Sequence, residues 1–182
     1  AIFHSPYLLM TLLNSTKLVG SFLFTYLIVV ELLSHHFGKE KKFNGDLAGI
    51  VAGLFYTLSP SVGENMRSAL LTHNQVFLNP MIFYLVLRFL VTERSTYVWL
   101  ALVTTFVFSP NFSLIAPPPP FAFYPLAFLF LALYVPLCLK KSLPWKKLCI
   151  GITFFVGLHA FQTIPAVAHI ADPSSDYYTR AF

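Results

Sequence analysis

Long apolar runs without a single charge, at residues 18–30, 121–139 and 148–160, limit what this chain can fold into more than any other feature. Such runs are what a hydrocarbon core about 30 Å thick demands of a segment that crosses it. The whole chain carries 57% hydrophobic and only 10% charged residues, with a mean hydropathy of +0.70. Soluble domains carry about 25% charged residues. The pattern predicts an integral membrane protein and excludes a water-soluble globular domain. A transmembrane β-barrel would alternate apolar and polar residues over strands of about ten residues, whereas these runs are apolar on every face. Helices satisfy their own backbone without water, so the expected class is an all-α, polytopic helical membrane protein.

Six segments are expected, at about 18–37, 47–59, 77–92, 97–109, 121–139 and 148–171, forming a single helical domain over 1–182. Lys and Arg concentrate in short cytoplasmic loops. If Lys39, Lys41 and Lys42 are cytoplasmic and all six segments cross, then Arg94 and the Lys140, Lys141, Lys146, Lys147 cluster fall on the same side. Nine of the 12 basic residues are then inside when Arg88 is counted, leaving Lys17, Arg67 and Arg180 outside. Loops 38–46, 93–96 and 140–147 are accordingly expected to be cytoplasmic, and residues 1–17, loop 60–79, loop 110–120 and the tail after Asp172 extracytoplasmic, in a plasma membrane. The triplets Asn14-Ser15-Thr16 and Asn111-Phe112-Ser113 lie on that outer side, as glycan acceptors must.

The chain opens on Ala1 without a leader-like stretch, which reads as a processed or partial sequence. Cys138 and Cys149 flank the lysine-rich loop and are expected as free thiols, since a disulfide needs an oxidising compartment. Segments 47–59 and 97–109 are short and are expected to continue past Pro60 and Pro110 as bent helices. Short interrupted segments line binding sites in some transporters, and tilted helices with proline kinks account for them equally. The run Ala116-Pro117-Pro118-Pro119-Pro120 is expected as a stiff extended spacer.

Soluble-enzyme signatures are absent: there is no phosphate loop, paired-Cys zinc pattern, nucleophile elbow or His-Glu-x-x-His. The six histidines are scattered, with His35 and His36 at the end of the first segment and His159 and His169 in the last. Glu31 is the one acid deep in an apolar run. An intramembrane ionisable group is a functional candidate by default, although snorkelling or pairing with Lys39 explains it at less cost. The polar stretch between segments two and three crowds Glu64, Arg67, His73, Asn74, Gln75 and Asn79, groups suited to a lipid headgroup or a sugar. A solvated loop has the same composition.

Residues 49–60, an Ala/Gly-rich helix ending Phe55-Tyr56-Thr57-Leu58-Ser59-Pro60, precede this loop, and the next helix opens Leu78-Asn79-Pro80. With the turn Phe108-Ser109-Pro110 and the closing Ala160-Phe161-Gln162-Thr163-Ile164-Pro165, the pattern resembles polytopic glycosyltransferases of the GT-C class over most of the chain. The resemblance implies transfer of sugar from a polyprenyl-phosphate donor at the extracytoplasmic face. It makes Glu64, Arg67, His73, Asn74, Gln75 and Asn79 the lipid-phosphate or sugar-binding candidates. It also admits a divalent metal, for which the sequence identifies no ligands. The catalytic acid of that class sits in the first outer loop, and residues 1–17 hold no Asp or Glu. The chain is therefore expected to be a fragment or subunit of such an enzyme, inactive alone. A non-catalytic subunit of a larger membrane assembly is the alternative, and a transport protein a third. Expected partners are membrane lipids, a polyprenyl-phosphate sugar and other membrane protein chains, and not nucleic acid.

Overall fold

A computed structural model describes residues 6–37, 42–60, 62–63, 75–108 and 119–171. These fold into six helices with no strand among them: α1 (Pro6–Phe37), α2 (Lys42–Thr57), α3 (Gln75–Thr92), α4 (Thr96–Phe108), α5 (Pro119–Cys138) and α6 (Trp145–Ala171). The stretch Met10–His35 of α1 is, among the described residues, the one helix both long and apolar enough to cross a membrane by that measure. Val76–Thr92, Thr96–Val107 and Leu126–Cys138 are shorter apolar helices.

Helix α1 begins at Pro6 rather than near residue 18, so most of the stretch expected to precede the first helix belongs to it. Proline suits a first turn, where no intrahelical donor is needed. The polar residues that follow are absorbed locally, because Thr16 Oγ1 donates to Leu12 O (2.8 Å) and Ser21 Oγ to Lys17 O (2.7 Å). Lys17, expected on an outer surface, lies within this helix and is buried. The triplet at Asn14 is likewise helical rather than a loop, and the one at Asn111 lies outside the described residues.

Helix α2 is longer than expected because it starts at Lys42, and it ends at Thr57. Helical bonding resumes after a break at Leu58 and Ser59, with Gly63 N donating to Ser59 O (3.1 Å), as a bent continuation past Pro60 requires. Two glycines let α2 press against α1. A Cβ on Gly49 would stand 2.7 Å from Tyr26 Cδ2, and one on Gly53 would stand 2.8 Å from Phe22 Cδ2 and 3.1 Å from the Phe22 carbonyl oxygen. Close helix approach over small residues is the packing available where hydrophobic driving force is weak.

Helix α3 is the hub, touching α1, α4 and α5. The main core cluster joins its Leu87, Phe89 and Leu90 to Leu131 and Val135 of α5 and Leu148 of α6. Pro80 lies inside α3 and has no N–H for the carbonyl of Val76, four residues earlier. That carbonyl instead accepts the Tyr56 hydroxyl from α2 (2.9 Å).

The far end of α3 is closed by distant lysines. Glu93 takes the left-handed conformation (φ 58°) that commonly ends a helix. Lys141 Nζ then donates to Val91 O (2.8 Å) and Lys147 Nζ to Glu93 O (2.9 Å). Cationic donors suit the negative end of a helix dipole. Connections 93–95 and 139–144 therefore meet at one end of the bundle.

Candidate functional site

Of the residues the sequence nominated, Glu64, Arg67, His73 and Asn74 lie outside the described residues. Gln75 opens α3, and Asn79 sits half-buried in the next turn. The structure does fix the two feet of the segment that carries them. The Tyr56 hydroxyl on Val76 O ties the last turn of α2 to the first turn of α3, so residues 58–74 leave and return at a fastened junction.

A second polar centre forms toward the other end, from residues far apart in sequence. Arg88 Nη1 on α3 donates to Glu31 Oε1 on α1 at 2.7 Å, and the carboxylate side also meets His35 Nε2 at 3.4 Å. Glu31 therefore pairs with Arg88 where Lys39 was expected; Lys39 lies outside the described residues. Arg88 Nη2 faces Tyr97 Oη of α4 at 3.4 Å, and its guanidinium carbon stands 5.6 Å from the Tyr97 ring centroid. The Tyr134 hydroxyl of α5 donates to Leu32 O beside Glu31 (3.1 Å). Four helices thus converge on one ion pair.

No family model, curated protein or solved structure matches the chain. The reading of this centre rests on its geometry.

The pair is mostly enclosed, with side chains 16% exposed at Glu31 and 29% at Arg88. Arg88 Nε is buried and has no hydrogen-bond partner among the described residues. Guanidinium geometry explains why arginine serves here, since a planar fork reaches Glu31 and Tyr97 together. No group of three or more His, Cys, Asp or Glu that could hold a metal occurs among the described residues. The centre contains no hydroxyl or thiol nucleophile set on a base. Its chemistry is that of an interhelical latch, fixing α1 against α3 and α4.

Sequence reasoning found Glu31 and missed its partner. The signal was available: Glu31 and Arg88 each interrupt a long apolar run, and opposite charges in such surroundings cost least when they meet. Cys138 and Cys149 are free and exposed.

Proposed function

We propose that this chain is a polytopic membrane module in which all six helices lie in the bilayer, and that it forms the membrane-embedded part, fragment or subunit, of a GT-C-like glycosyltransferase using a polyprenyl-phosphate-linked sugar at the extracytoplasmic face. The observation that carries the membrane reading is the distribution of polarity. Large apolar side chains stand exposed on α1, α2, α4, α5 and α6, among them Phe55 (81%), Leu137 (71%) and Leu126 (63%), while α3 is enclosed by its neighbours. Lys17, Ser21, Thr104 and Thr105 are buried instead. Water-soluble monomers rarely expose contiguous apolar patches beyond a few hundred Å². A hydrocarbon solvent removes the penalty for the first group and makes burial of the second favourable.

The transferase reading comes from the resemblance over residues 49–60 and 78–80. Two contacts give these residues a physical role: Gly49 and Gly53 seat α2 on α1, and Tyr56 fastens the feet of the polar loop. A non-catalytic transmembrane subunit is the second reading. It is favoured by the outer face of α2, where Leu47, Val51 and Leu54 recur at spacings of four and three residues and are all exposed.

The experiment uses the chain purified in detergent, with undecaprenyl phosphate as the probe. Arg67→Ala is expected to weaken binding by about 1.5–3 kcal/mol, the scale of hydrogen bonds to charged groups. Arg67→Lys is expected to recover part of that, keeping charge without the fork. An Arg67–Glu64 surface pair would contribute only about 0.3–0.5 kcal/mol and leave binding unchanged. Unchanged affinity in Arg67→Ala removes this loop from the site. Sugar turnover by residues 1–182 alone would overturn the expectation of inactivity and direct attention to Glu64.

A further inference from the structure

A cleft of about 260 Å³ runs between α3, α4, α5 and α6, walled by Phe83, Leu102, Thr105, Phe128, Leu131 and Gly151. Its wall offers almost nothing polar. The Thr105 hydroxyl is spent on Leu102 O (2.8 Å), and the one charged residue lining the cleft is Lys147. Along α6 the lining extends from Lys147 to Phe155, eight helical steps, or about 12 Å at the helical rise. Gly151 keeps the α4–α6 wall close, since a Cβ there would stand 2.9 Å from Val98 Cγ1.

The charge is all at one end. Lys140, Lys141, Lys146, Lys147 and Arg94 are exposed around the α5–α6 connection, against the single carboxylate of Glu93. Lys147 spends one ammonium proton on Glu93 O, and an ammonium has three. Trp145, exposed beside this cluster, is the type of residue that settles at headgroup level.

An apolar slot with a cationic mouth selects among occupants. A partner helix is about 10 Å across and needs an open groove wider than this volume provides. A neutral hydrocarbon would leave the lysines unmatched, and a zwitterionic headgroup would bring its own cation to them. We propose that the cleft holds one acyl chain of an anionic phospholipid whose phosphate rests on Lys147 and Lys141. The inference rests on the membrane reading above, and places a lipid site at the end of the bundle opposite the loop nominated for the polyprenyl donor.

The test titrates the detergent-purified chain with dipalmitoyl phosphatidylglycerol or dipalmitoyl phosphatidylcholine and counts bound lipid by native mass spectrometry. The first phosphatidylglycerol is expected to bind about tenfold tighter, the factor that corresponds to one hydrogen bond to a charged group. The double variant Lys141→Gln, Lys147→Gln is expected to bring it down to the phosphatidylcholine level, and Lys147→Arg to retain the preference. Ile152→Trp fills the cleft from its exposed side and is expected to weaken both lipids, with thermal unfolding followed by circular dichroism to verify the fold. If that variant does not fold, Ala127→Phe fills the opposite wall and replaces it. Equal binding of the two lipids by a chain that requires detergent for extraction overturns the cleft assignment alone. A chain recovered from a detergent-free aqueous fraction overturns the membrane reading itself.

Discussion

Tyr56→Phe is the substitution whose effect the structure determines most tightly. It removes one oxygen, and that oxygen is the partner of a carbonyl that cannot be served from within its own helix. Val76 is buried, its carbonyl accepts Tyr56 Oη at 2.9 Å, and the residue four positions on is Pro80, which has no N–H to offer. Stranding a buried acceptor costs about 1–3 kcal/mol, more than the net value of an ordinary hydrogen bond. The second arm repairs the helix instead. Pro80→Ala restores a donor at position 80, so in that background the Val76 carbonyl has a local partner and Tyr56→Phe is expected to cost about 0.5 kcal/mol or less. The cycle should therefore show a coupling of about 1–2 kcal/mol between residues 24 apart in sequence. Unfolding of the four proteins in mixed detergent and SDS micelles, read by far-ultraviolet circular dichroism, gives the numbers. An equal cost of Tyr56→Phe with proline or alanine at position 80 would refute the account, because it would mean the hydroxyl does not compensate for the proline.

Glu31→Gln is expected to destabilise the chain by about 1.5–3 kcal/mol, below the 3–5 kcal/mol of a fully buried pair because both side chains are part-exposed, and Arg88→Met in the same chain should recover much of it; additive costs in the cycle would deny the latch. Gly53→Ala is expected to cost about 1–3 kcal/mol, since its Cβ meets the Phe22 backbone at 3.1 Å, while Gly157→Ala, which meets nothing within 4 Å, should be neutral or stabilising. Single cysteines placed at Ser142 and Ser61 are expected to react with an impermeant maleimide from opposite faces of intact vesicles, and labelling of both from one face would exclude a six-crossing topology.

How much of this was legible beforehand depends on the range of the interaction. Helix number and order follow from apolar runs, a local property, and the six helices lie where those runs lie. The start of α1 was misjudged because Asn14, Ser15, Thr16 and Lys17 look like a polar approach to a helix. In the fold, Thr16 and Ser21 return their hydroxyls to the preceding turn, so the polarity is absorbed without leaving the helix. The Ala/Gly-rich composition of residues 49–60 was visible, but not that Gly49 and Gly53 would seat against α1. Glu31 was visible as an anomaly, yet its partner among the described residues is 57 residues away, whereas sequence proximity offered only Lys39, which lies outside them. The cleft was not visible at all, since its wall is drawn from four helices and its one charged member looks like any other loop lysine.

The lysine closure of α3 has a consequence for how the chain is made. Val91 O and Glu93 O wait for Lys141 and Lys147, which follow 50 and 54 residues later. At roughly 5–20 residues per second, a ribosome takes about 3–10 s to supply them. Helix α4 is completed within that interval, while the end of α3 still lacks its permanent donors. Water or another donor must stand in until α6 begins. A chain halted anywhere between residues 109 and 140 therefore leaves the end of α3 without the two lysines that close it in the finished fold.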